Sequence, residues 1–241
     1  MKWSYAPLPR TDLHTHSEFS KCSIDTTICG NIIMAILNGL EAIAITDHAS
    51  HVLKIGFEKY IEKILTLRES NSTDLKVLMG LEVDIKPDGE PNVGRGLLKK
   101  LDIVVGALHS LPYGGFSAES YRTIILKALK SNWIDILAHP TYVNERNINL
   151  PIELIYEICE EARENSIAIE LNSNHKSPSD EFIRVCVETG VKLTPVSDGH
   201  ALGSIGVYSW QLQTLKRLNV LNSVKWLTID DLQKIKNRGV A

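Results

Sequence analysis

The stretch Glu41–Thr46 (EAIAIT), followed at once by Asp47 and His48, sets the pattern of the fold. It is a short apolar run that ends in a carboxylate and an imidazole, and comparable runs recur along the chain. Their length and their Val and Ile content favour buried parallel strands over helices. The other runs are Thr11–Thr15, Val77–Leu81, Ile103–Leu108, Ile134–Ala138, Ile167–Leu171 and Val191–Val196.

Amphipathic stretches separate these runs, with apolar residues three and four positions apart, and this spacing predicts helices. Pro151 and Ser179 suit helix starts, while Gly39 and Gly190 suit helix ends. Strands that alternate with helices predict an α/β fold with a parallel sheet. One connection differs, because residues 84–96 (DIKPDGEPNVGRG) are rich in turn-forming types and leave room for only a short helix after them.

Composition and charge narrow the function classes. The 241 residues are 44% hydrophobic and 23% charged, which is typical of a soluble globular protein. The net charge of −3 gives no global basic field that would attract nucleic acid or an anionic membrane. No linker, signal peptide or membrane-spanning stretch is evident, so we expect residues 1–241 to form a single domain. The four cysteines lack CxxC spacing, which favours reduced thiols in a cytoplasmic protein.

Residue types that bind metals follow nearly every predicted strand. Successive positions lie 27 to 34 residues apart, about the length of one strand–helix unit. They therefore fall at the carboxyl ends of the strands, where parallel sheets and barrels bind ligands. Six of the eight histidines belong to this set, too many to explain as isolated capping residues. The set is His14, His16, Asp47, His48, Glu82, His109, His139, Glu170, Asp198 and His200.

Two short spacings support a metal site. His14-Thr15-His16 places both imidazoles on one face of a strand, because side chains alternate with a period of two. Asp198-Gly199-His200 repeats that spacing after the last predicted strand. A cluster of imidazoles and carboxylates suits borderline divalent cations, so Zn, Mn or Fe is expected here.

Several nearby residues have less definite roles. Asp47 and Glu170 are expected either to orient a metal-binding histidine or to bind an ion directly. The two remaining histidines, His51 and His175, lie in predicted loops and are expected at the surface.

Other catalytic signatures are missing from the sequence. It has no GxSxG, GxxxxGK[ST] or GxGxxG motif, so hydrolase-elbow, P-loop and dinucleotide-binding interpretations lack support. Arg146 and Lys176 follow strand ends and are candidates for contacts with phosphate oxygens. Solvated loop charges are the simpler interpretation of both.

At these residues the chain resembles the PHP (polymerase and histidinol phosphatase) family. The similarity runs in the right order from about residue 10 to residue 205, which is most of the chain. The matching motifs are Asp12–Ser17 (DLHTHS), Ile45–His48 (ITDH), Gly80–Glu82 (GLE), Gly106–His109 (GALH), Ala138–Pro140 (AHP), Glu170–Asn172 (ELN) and Ser197–His200 (SDGH).

The resemblance implies a distorted (β/α)7 barrel that holds two or three divalent ions at the carboxyl ends of its strands. One ion would be held by His14, His16, Glu82 and Asp198, a second by His48 and His200, and a third by His109 and His139, with Glu82 bridging. Histidinol-phosphatase-like members often place a His or Asp after the first motif. This chain has Cys22 there, six residues past His16, and Cys22 is the candidate replacement.

The function expected from this resemblance is hydrolysis of a phosphate ester by a metal-bound hydroxide, with a small phosphomonoester as the favoured substrate. Asp198 or His200 is a candidate proton relay, although a purely metal-binding role fits both. Two alternatives stay open: a phosphodiesterase or exonuclease, and a non-catalytic subunit of a nucleic-acid-processing assembly. The lack of excess basic charge weighs against the first, and the nearly complete ligand set weighs against the second. No membrane partner is expected, and the oligomeric state is open.

Overall fold

The computed structural model describes residues 8–111 and 117–232. Within these ranges, seven strands form one sheet and two more form a hairpin. The strands are β1 (Thr11–Asp12), β2 (Ala42–Ile45), β3 (Lys76–Asp84), β4 (Ile103–Ala107), β5 (Ile136–Leu137), β6 (Tyr142–Val143), β7 (Arg146–Asn147), β8 (Ala168–Asn172) and β9 (Leu193–Val196).

Helices follow most strands of the sheet. They are α1 (Ile28–Leu37), α2 (Ala49–Ile55), α3 (Phe57–Ser70), α4 (Arg95–Leu98), α5 (Ala118–Lys130), α6 (Ile152–Glu164), α7 (Asp180–Thr189) and α8 (Ser209–Arg217). Two short 3₁₀ turns complete the set at Leu202–Ser204 and Leu221–Ser223.

The sheet is parallel throughout and runs in the order β1-β2-β3-β4-β5-β8-β9. Its first and last strands meet, because Thr15 and Gly199 form a parallel bridge just past the strand ends. The amide of Ser197 also donates to Oδ1 of Asp12 over 2.9 Å. The sheet therefore curls into the distorted (β/α)7 barrel expected from the sequence.

Apolar side chains pack on both faces of this sheet, which explains the nearly continuous apolar runs in the sequence. Along β4 the alternate residues Ile103, Val105 and Ala107 face the barrel interior with Ala44 of β2. Side chains on the opposite face of the sheet, such as that of Ile43 in β2, join a larger cluster between the sheet and the helices. The barrel interior is thus a packed core, and its open end carries the polar residues.

The expected helix boundaries are confirmed. The hydroxyl of Ser179 accepts from the amide of Phe182 and caps α7, which ends at Gly190 with a left-handed φ of 72°. Pro151 directly precedes α6, and Gly39 has a positive φ of 66° just after α1. Glycine fits these two endings because a Cβ disfavours a left-handed backbone.

Some elements differ from the expectation. The first strand ends at Asp12 instead of Thr15, because the chain leaves the ladder there and continues only through the bridge at Thr15. The β6–β7 hairpin was not expected, since its two-residue turn places Asn144 and Glu145 at φ values of 54° and 58°. Such turns favour Asn and Gly, and a glutamate in one gives no turn signal in the sequence. Helices α2 and α8 were also not expected.

Two further expectations concern the environment of the chain. In the described ranges no helix combines the length and the apolar composition needed to cross a bilayer. All four cysteines are free thiols.

Candidate metal centre

Nine residues proposed as ligands from the sequence converge at the carboxyl ends of the barrel strands. Five of them are almost fully buried, with side-chain exposures of 2% or less. The others reach the mouth of the site, where His48 and His200 are 21% exposed and His109 is 36% exposed. The nine are His14, His16, Cys22, His48, Glu82, His109, His139, Asp198 and His200.

Two parallel bridges extend the sheet into this centre. The Thr15–Gly199 bridge brings the first histidine pair beside Asp198 and His200. A second bridge pairs His48 directly with Glu82 at the ends of β2 and β3. The motifs at strand ends are therefore neighbours in space because of the register of the strands.

Glu82 lies at the middle of the cluster. Its Oε2 is 2.7 Å from Nδ1 of His48, and its Oε1 is 3.1 Å from Nε2 of His109 and 3.2 Å from Nε2 of His139. The same Oε2 lies 3.6 Å from Nε2 of both His14 and His16. One carboxylate thus faces five imidazoles, the position a bridging ligand requires.

Asp198 faces the histidines with both of its oxygens. Its Oδ1 is 3.1 Å from Nε2 of His16 and 3.7 Å from Nε2 of His14. Its Oδ2 is 3.1 Å from Nδ2 of Asn172. The backbone of Asp198 has a φ of 50° and that of His139 a φ of 23°. Left-handed backbone at residues other than glycine costs free energy and is concentrated at functional sites.

Acceptors behind the histidines fix their orientation. Nδ1 of His14 is 2.7 Å from Oε1 of Glu170, and Nδ1 of His109 is 2.6 Å from Oδ1 of Asp84. Nδ1 of His200 is 2.8 Å from the carbonyl of Asp198. Each acceptor holds the proton on Nδ1 and leaves the lone pair on Nε2, as metal-binding histidines require.

Asp84 is a further residue of the cluster that the sequence interpretation missed. Its signal is the Glu82-Val83-Asp84 spacing, which puts both carboxylates on one face of β3 in the same way as the histidines of the first motif. The role of Asp47 at a metal stays a prediction; its carboxylate accepts from the amide and hydroxyl of Ser17 over 2.7 and 2.5 Å. It thereby shapes the loop after the first histidine pair.

Geometry divides the cluster into four groups in which the potential ligand atoms lie within 4.8 Å of one another. The groups are His16, Cys22, His48 and His200; His14, His16 and Asp198; His48, Glu82 and His109; and His139, His175 and Asp198. The first group places Cys22 beside the two histidines implied for the second ion.

An orphaned atom tests whether these residues fit an ion. Nε2 of His14 is buried and has no hydrogen-bond partner within the described part of the chain. Its nearest carboxylate oxygens, on Glu82 and Asp198, are 3.6 and 3.7 Å away, too far for a hydrogen bond. Ligand atoms on a tetrahedral zinc ion lie about 3.4 Å apart, so one cation would satisfy all three atoms. The residues fit a divalent metal.

The charges of the metal-free cluster are strongly coupled. Burial lowers the pKa of His48 and His109, but the carboxylate of Glu82 outweighs burial and raises these pKa values to about 11 and about 10. For Glu82, burial raises the pKa, but the same imidazoles hold it well below its usual range. Burial lowers the pKa of His16 to about 3, which keeps its ring neutral.

The thiol of Cys22 has an unusual environment. Burial raises its pKa, but hydrogen bonds with His200 and His48 outweigh this and lower the pKa to about 7. A thiol that ionises near neutral pH is a ready metal ligand, because the thiolate is the form that binds.

The two histidines expected at the surface differ, because His175 joins the cluster and His51 stays outside its ligand groups. His175 is 22% exposed, and its Nε2 lies 3.1 Å from Oδ2 of Asp198. His51 is half-buried, and its Nδ1 accepts from the amide of Lys21 over 3.3 Å. Loop conformation brings the ring of His175 to the cluster, and no strand periodicity reveals its direction, whereas His51 lies in helix α2 and outside the four ligand groups.

The two proposed phosphate contacts are both exposed. Arg146 is exposed in β7, in the hairpin that follows His139. Lys176 is exposed in the loop after β8, with a left-handed φ of 51°. Both flank the strand ends that carry the cluster.

Comparison with known proteins agrees with this architecture. The family model for the PHP domain matches residues 12–174, a segment that holds the first six motifs. The chain belongs to the PHP family. This PHP chain is 29% identical over 235 residues to a probable phosphatase of Thermoanaerobacter sp. (strain X514), with 93% of this chain and 92% of that protein aligned.

A second relative has a different activity. Over 230 residues the PHP chain is 28% identical to the DNA polymerase/3'-5' exonuclease PolX of Bacillus subtilis (strain 168), covering 88% of this chain and 39% of that protein. Among solved structures, histidinol phosphate phosphatase from Lactococcus lactis subsp. lactis Il1403, complexed with Zn, L-histidinol and phosphate, superposes with a TM-score of 0.66 at 16% identity. That match covers 93% of this chain and 98% of the other, and it shows the shared barrel fold.

Proposed function

We propose that this PHP protein is a metal-dependent phosphatase that hydrolyses small phosphomonoesters. The observation that carries the proposal is the convergence of six histidines on Glu82 and Asp198 at the ligand-binding end of the barrel. The relatives named as probable phosphatases, aligned over nearly their whole length, support the same reaction. Histidinol phosphate is one candidate substrate.

Three groups of residues would hold the ions. His14 and His16, with Glu82 and Asp198, would bind the first ion. Cys22, His48 and His200 would bind the second, and His109 and His139 the third, with Glu82 between them. Bound Zn, Mn or Fe supplies Lewis acidity and a nucleophile at neutral pH.

The chain's own residues would orient and balance this centre. Glu170 and Asp84 hold the rings of His14 and His109 so that Nε2 faces inward. Asp198 or His200 would move a proton to or from the reacting water, since Nδ1 of His200, at the mouth of the site, lies 3.6 Å from Oδ1 of the buried Asp198. Arg146 and Lys176 would attract the phosphate.

Hydrolysis of phosphodiesters is the second candidate, and the PolX relative is the observation that favours it. Against it stands the net charge of −3, because a nuclease gains affinity from basic surface that neutralises the substrate backbone. The cytoplasmic location and the single domain over residues 1–241 stay predictions of the sequence.

The test compares p-nitrophenyl phosphate, histidinol phosphate and bis(p-nitrophenyl) phosphate, each with Mn, Zn or Fe added to chelator-treated protein. The proposal expects monoester hydrolysis that depends on added metal and is lost in Glu82→Gln. Faster cleavage of the diester would favour the nuclease alternative. A protein that binds no stoichiometric metal would be the non-catalytic scaffold instead.

A further inference from the structure

His175 is carried by a loop that folds back over the end of β8. Ser177 pairs with Asn172 through two backbone hydrogen bonds of 2.7 and 3.1 Å. Within the loop, the amide of His175 donates to the side chain of Asn172 over 3.0 Å. This compact turn places the imidazole beside Asp198 and away from bulk solvent.

The surroundings of His175 have the composition of a cation site. Its Nε2 lies 3.1 Å from Oδ2 of Asp198, and its ring centroid is 5.0 Å from that of His139. The potential ligand atoms of His139, His175 and Asp198 lie within 4.8 Å of one another. Two imidazoles and one carboxylate, with a fourth position free, form a common ligand set for zinc.

Both partners of His175 offer an atom to a cation. Asp198 turns Oδ1 toward His14 and His16 and Oδ2 toward His175, so its carboxylate can bridge two positions. His139 has a buried Nδ1 without a hydrogen-bond partner in the described residues, whereas Nδ1 of His14 is held by Glu170. An unpaired polar atom in the interior costs free energy unless a ligand satisfies the group.

The ring of His175 is also held in place from its other side. Tyr142 of the β6–β7 hairpin stacks on it with a centroid separation of 3.8 Å and an interplanar angle of 22°. The hairpin and the loop are joined by Thr141, whose amide donates to Oγ of Ser177 over 3.1 Å. Such fixed side chains reduce the ordering cost of binding a ligand.

We propose that His175, together with His139 and Asp198, forms an alternative position for a divalent cation at this metal centre, which takes His139 in place of the position beside His109, because a neutral imidazole offers one lone pair. The cation is of the borderline class, such as Zn²⁺, that two imidazoles and a carboxylate favour. His175 lies outside every motif that relates the chain to the PHP family. The inference rests on the proposed metal centre and adds a ligand to it, while Tyr142 acts as a positioning residue for that ligand.

The experiment measures Zn²⁺ binding to chelator-treated protein by equilibrium dialysis and elemental analysis. His175→Ala should lower the affinity for one zinc ion by more than about 100-fold. Losing a group that only orients a ligand already lowers metal affinity by about 10–100-fold. His175→Gln should lower the zinc affinity equally, because the glutamine amide can donate to Asp198 but binds zinc poorly. His51→Ala is the matched control, a histidine near the cluster and outside all four groups, and should bind as the unsubstituted chain does.

Unchanged zinc affinity in His175→Ala would overturn the inference, and so would restored affinity in His175→Gln, which would make His175 a hydrogen-bond donor only. A crystal of the unsubstituted chain soaked in Zn²⁺ gives a second measurement that does not depend on the folding of variants. Anomalous density should appear about 2.0–2.1 Å from Nε2 of His175.

Zinc beside His14 and His16 but none beside His175 would contradict this inference alone and leave the proposed phosphatase intact. A map without zinc at any histidine would contradict both proposals.

Discussion

Nδ1 of His14 lies 2.7 Å from Oε1 of Glu170, and both side chains are fully buried. Because the carboxylate can only accept at this distance, the proton of the neutral imidazole sits on Nδ1 and the lone pair of Nε2 faces Glu82 and Asp198. The pair separates two roles for glutamates at this site. Glu170 orients a ligand from behind, while Glu82 stands among the ligand atoms.

This separation predicts unequal effects of the same substitution. Glu82→Gln should abolish phosphate-ester hydrolysis, because cations held around Glu82 would lose the charge that offsets their mutual repulsion. Glu170→Gln should lower activity by about 10–100-fold, the typical loss when a group behind a metal ligand is changed. Steady-state kinetics with metal content measured on the same samples checks this. Equal losses would contradict the two roles.

Cys22 gives a prediction about the second ion. Cys22→Ser should lower the occupancy of the ion near His48 and His200 and leave the ion at His109 loaded, because only the first group includes the thiol. Thiolate also favours softer Zn or Fe over Mg, so the variant should lose part of that preference.

Cys29→Ser is the matched control for this test, since Cys29 is exposed on α1. Cobalt-substituted protein reports the contact through a thiolate-to-metal absorption band. A band of equal intensity in Cys22→Ser, or equal metal stoichiometry in both variants, would make Cys22 an ordinary loop residue.

The pH dependence of the metal-free protein follows from His48 and His109. Their pKa values rise from about 6.5 to about 11 and about 10, because the charge of Glu82 outweighs burial. A histidine whose pKa is raised in the folded state stabilises that state. Its full contribution to the free energy of unfolding is present below about pH 6.5 and is lost as the pH rises toward about 10–11. The melting temperature of the chelator-treated chain should therefore fall as the pH increases from 6.5 to 10.

Glu82→Gln supplies the comparison, because it removes the charge that raises both pKa values. Thermal unfolding of the variant should depend less on pH over the same window. Parallel curves for the two proteins would mean that the charge of Glu82 does not raise the pKa values of the two imidazoles.

A side chain at Gly80, in the Gly80–Glu82 motif, should destabilise the fold. A Cβ at this position would lie 2.6 Å from Cγ2 of Ile103 and 2.8 Å from its carbonyl oxygen, and the adjacent strand cannot move freely. Gly80→Ala should cost about 1–3 kcal/mol, the usual range for overpacking. Gly94→Ala, where a Cβ would meet nothing within 4 Å, should stay within about 0.5 kcal/mol. Urea unfolding of metal-free samples measures both.

Arg146 gives a prediction about substrate binding. Arg146→Ala should raise KM for a phosphomonoester and leave zinc stoichiometry unchanged, because the proposed role of this exposed residue is to attract the phosphate and it belongs to no ligand group. Arg163→Ala, at the far end of α6 where the next strand begins, should leave KM unchanged. An unaltered KM in the first variant would assign Arg146 to the solvated surface.

Periodicity accounts for what the sequence could predict. Strand residues such as Ile103 and Val105 are buried on one face and their neighbours on the other, so apolar runs mark strands and their ends mark the site. The regular spacing of motifs then places His48, Glu82 and His109 at one edge, since each strand–helix unit returns the chain to the same end of the barrel.

Loop conformation accounts for most of what the sequence missed. His175 reaches Asp198 only because a turn at Lys176 reverses the chain, and that turn depends on contacts with Asn172. The β6–β7 hairpin has a glutamate where glycine is usual, and just before it the hydroxyls of Thr141 and Ser177 lie 3.0 Å apart, a contact between segments distant in sequence. Neither contact produces a periodic pattern in the sequence from which it could be predicted.

The contact between the first and last strands limits how early the barrel can close during synthesis. His16 and Asp198 touch across 182 residues of sequence, and the Thr15–Gly199 bridge beside them closes the barrel. At a synthesis rate of about 5–20 residues per second, Asp198 is made on the order of 10–40 s after His16. Contacts so distant in sequence also form slowly, because a long loop must be closed before they contribute. A metal ion held by both residues would therefore be acquired late, after the last strand has joined the first.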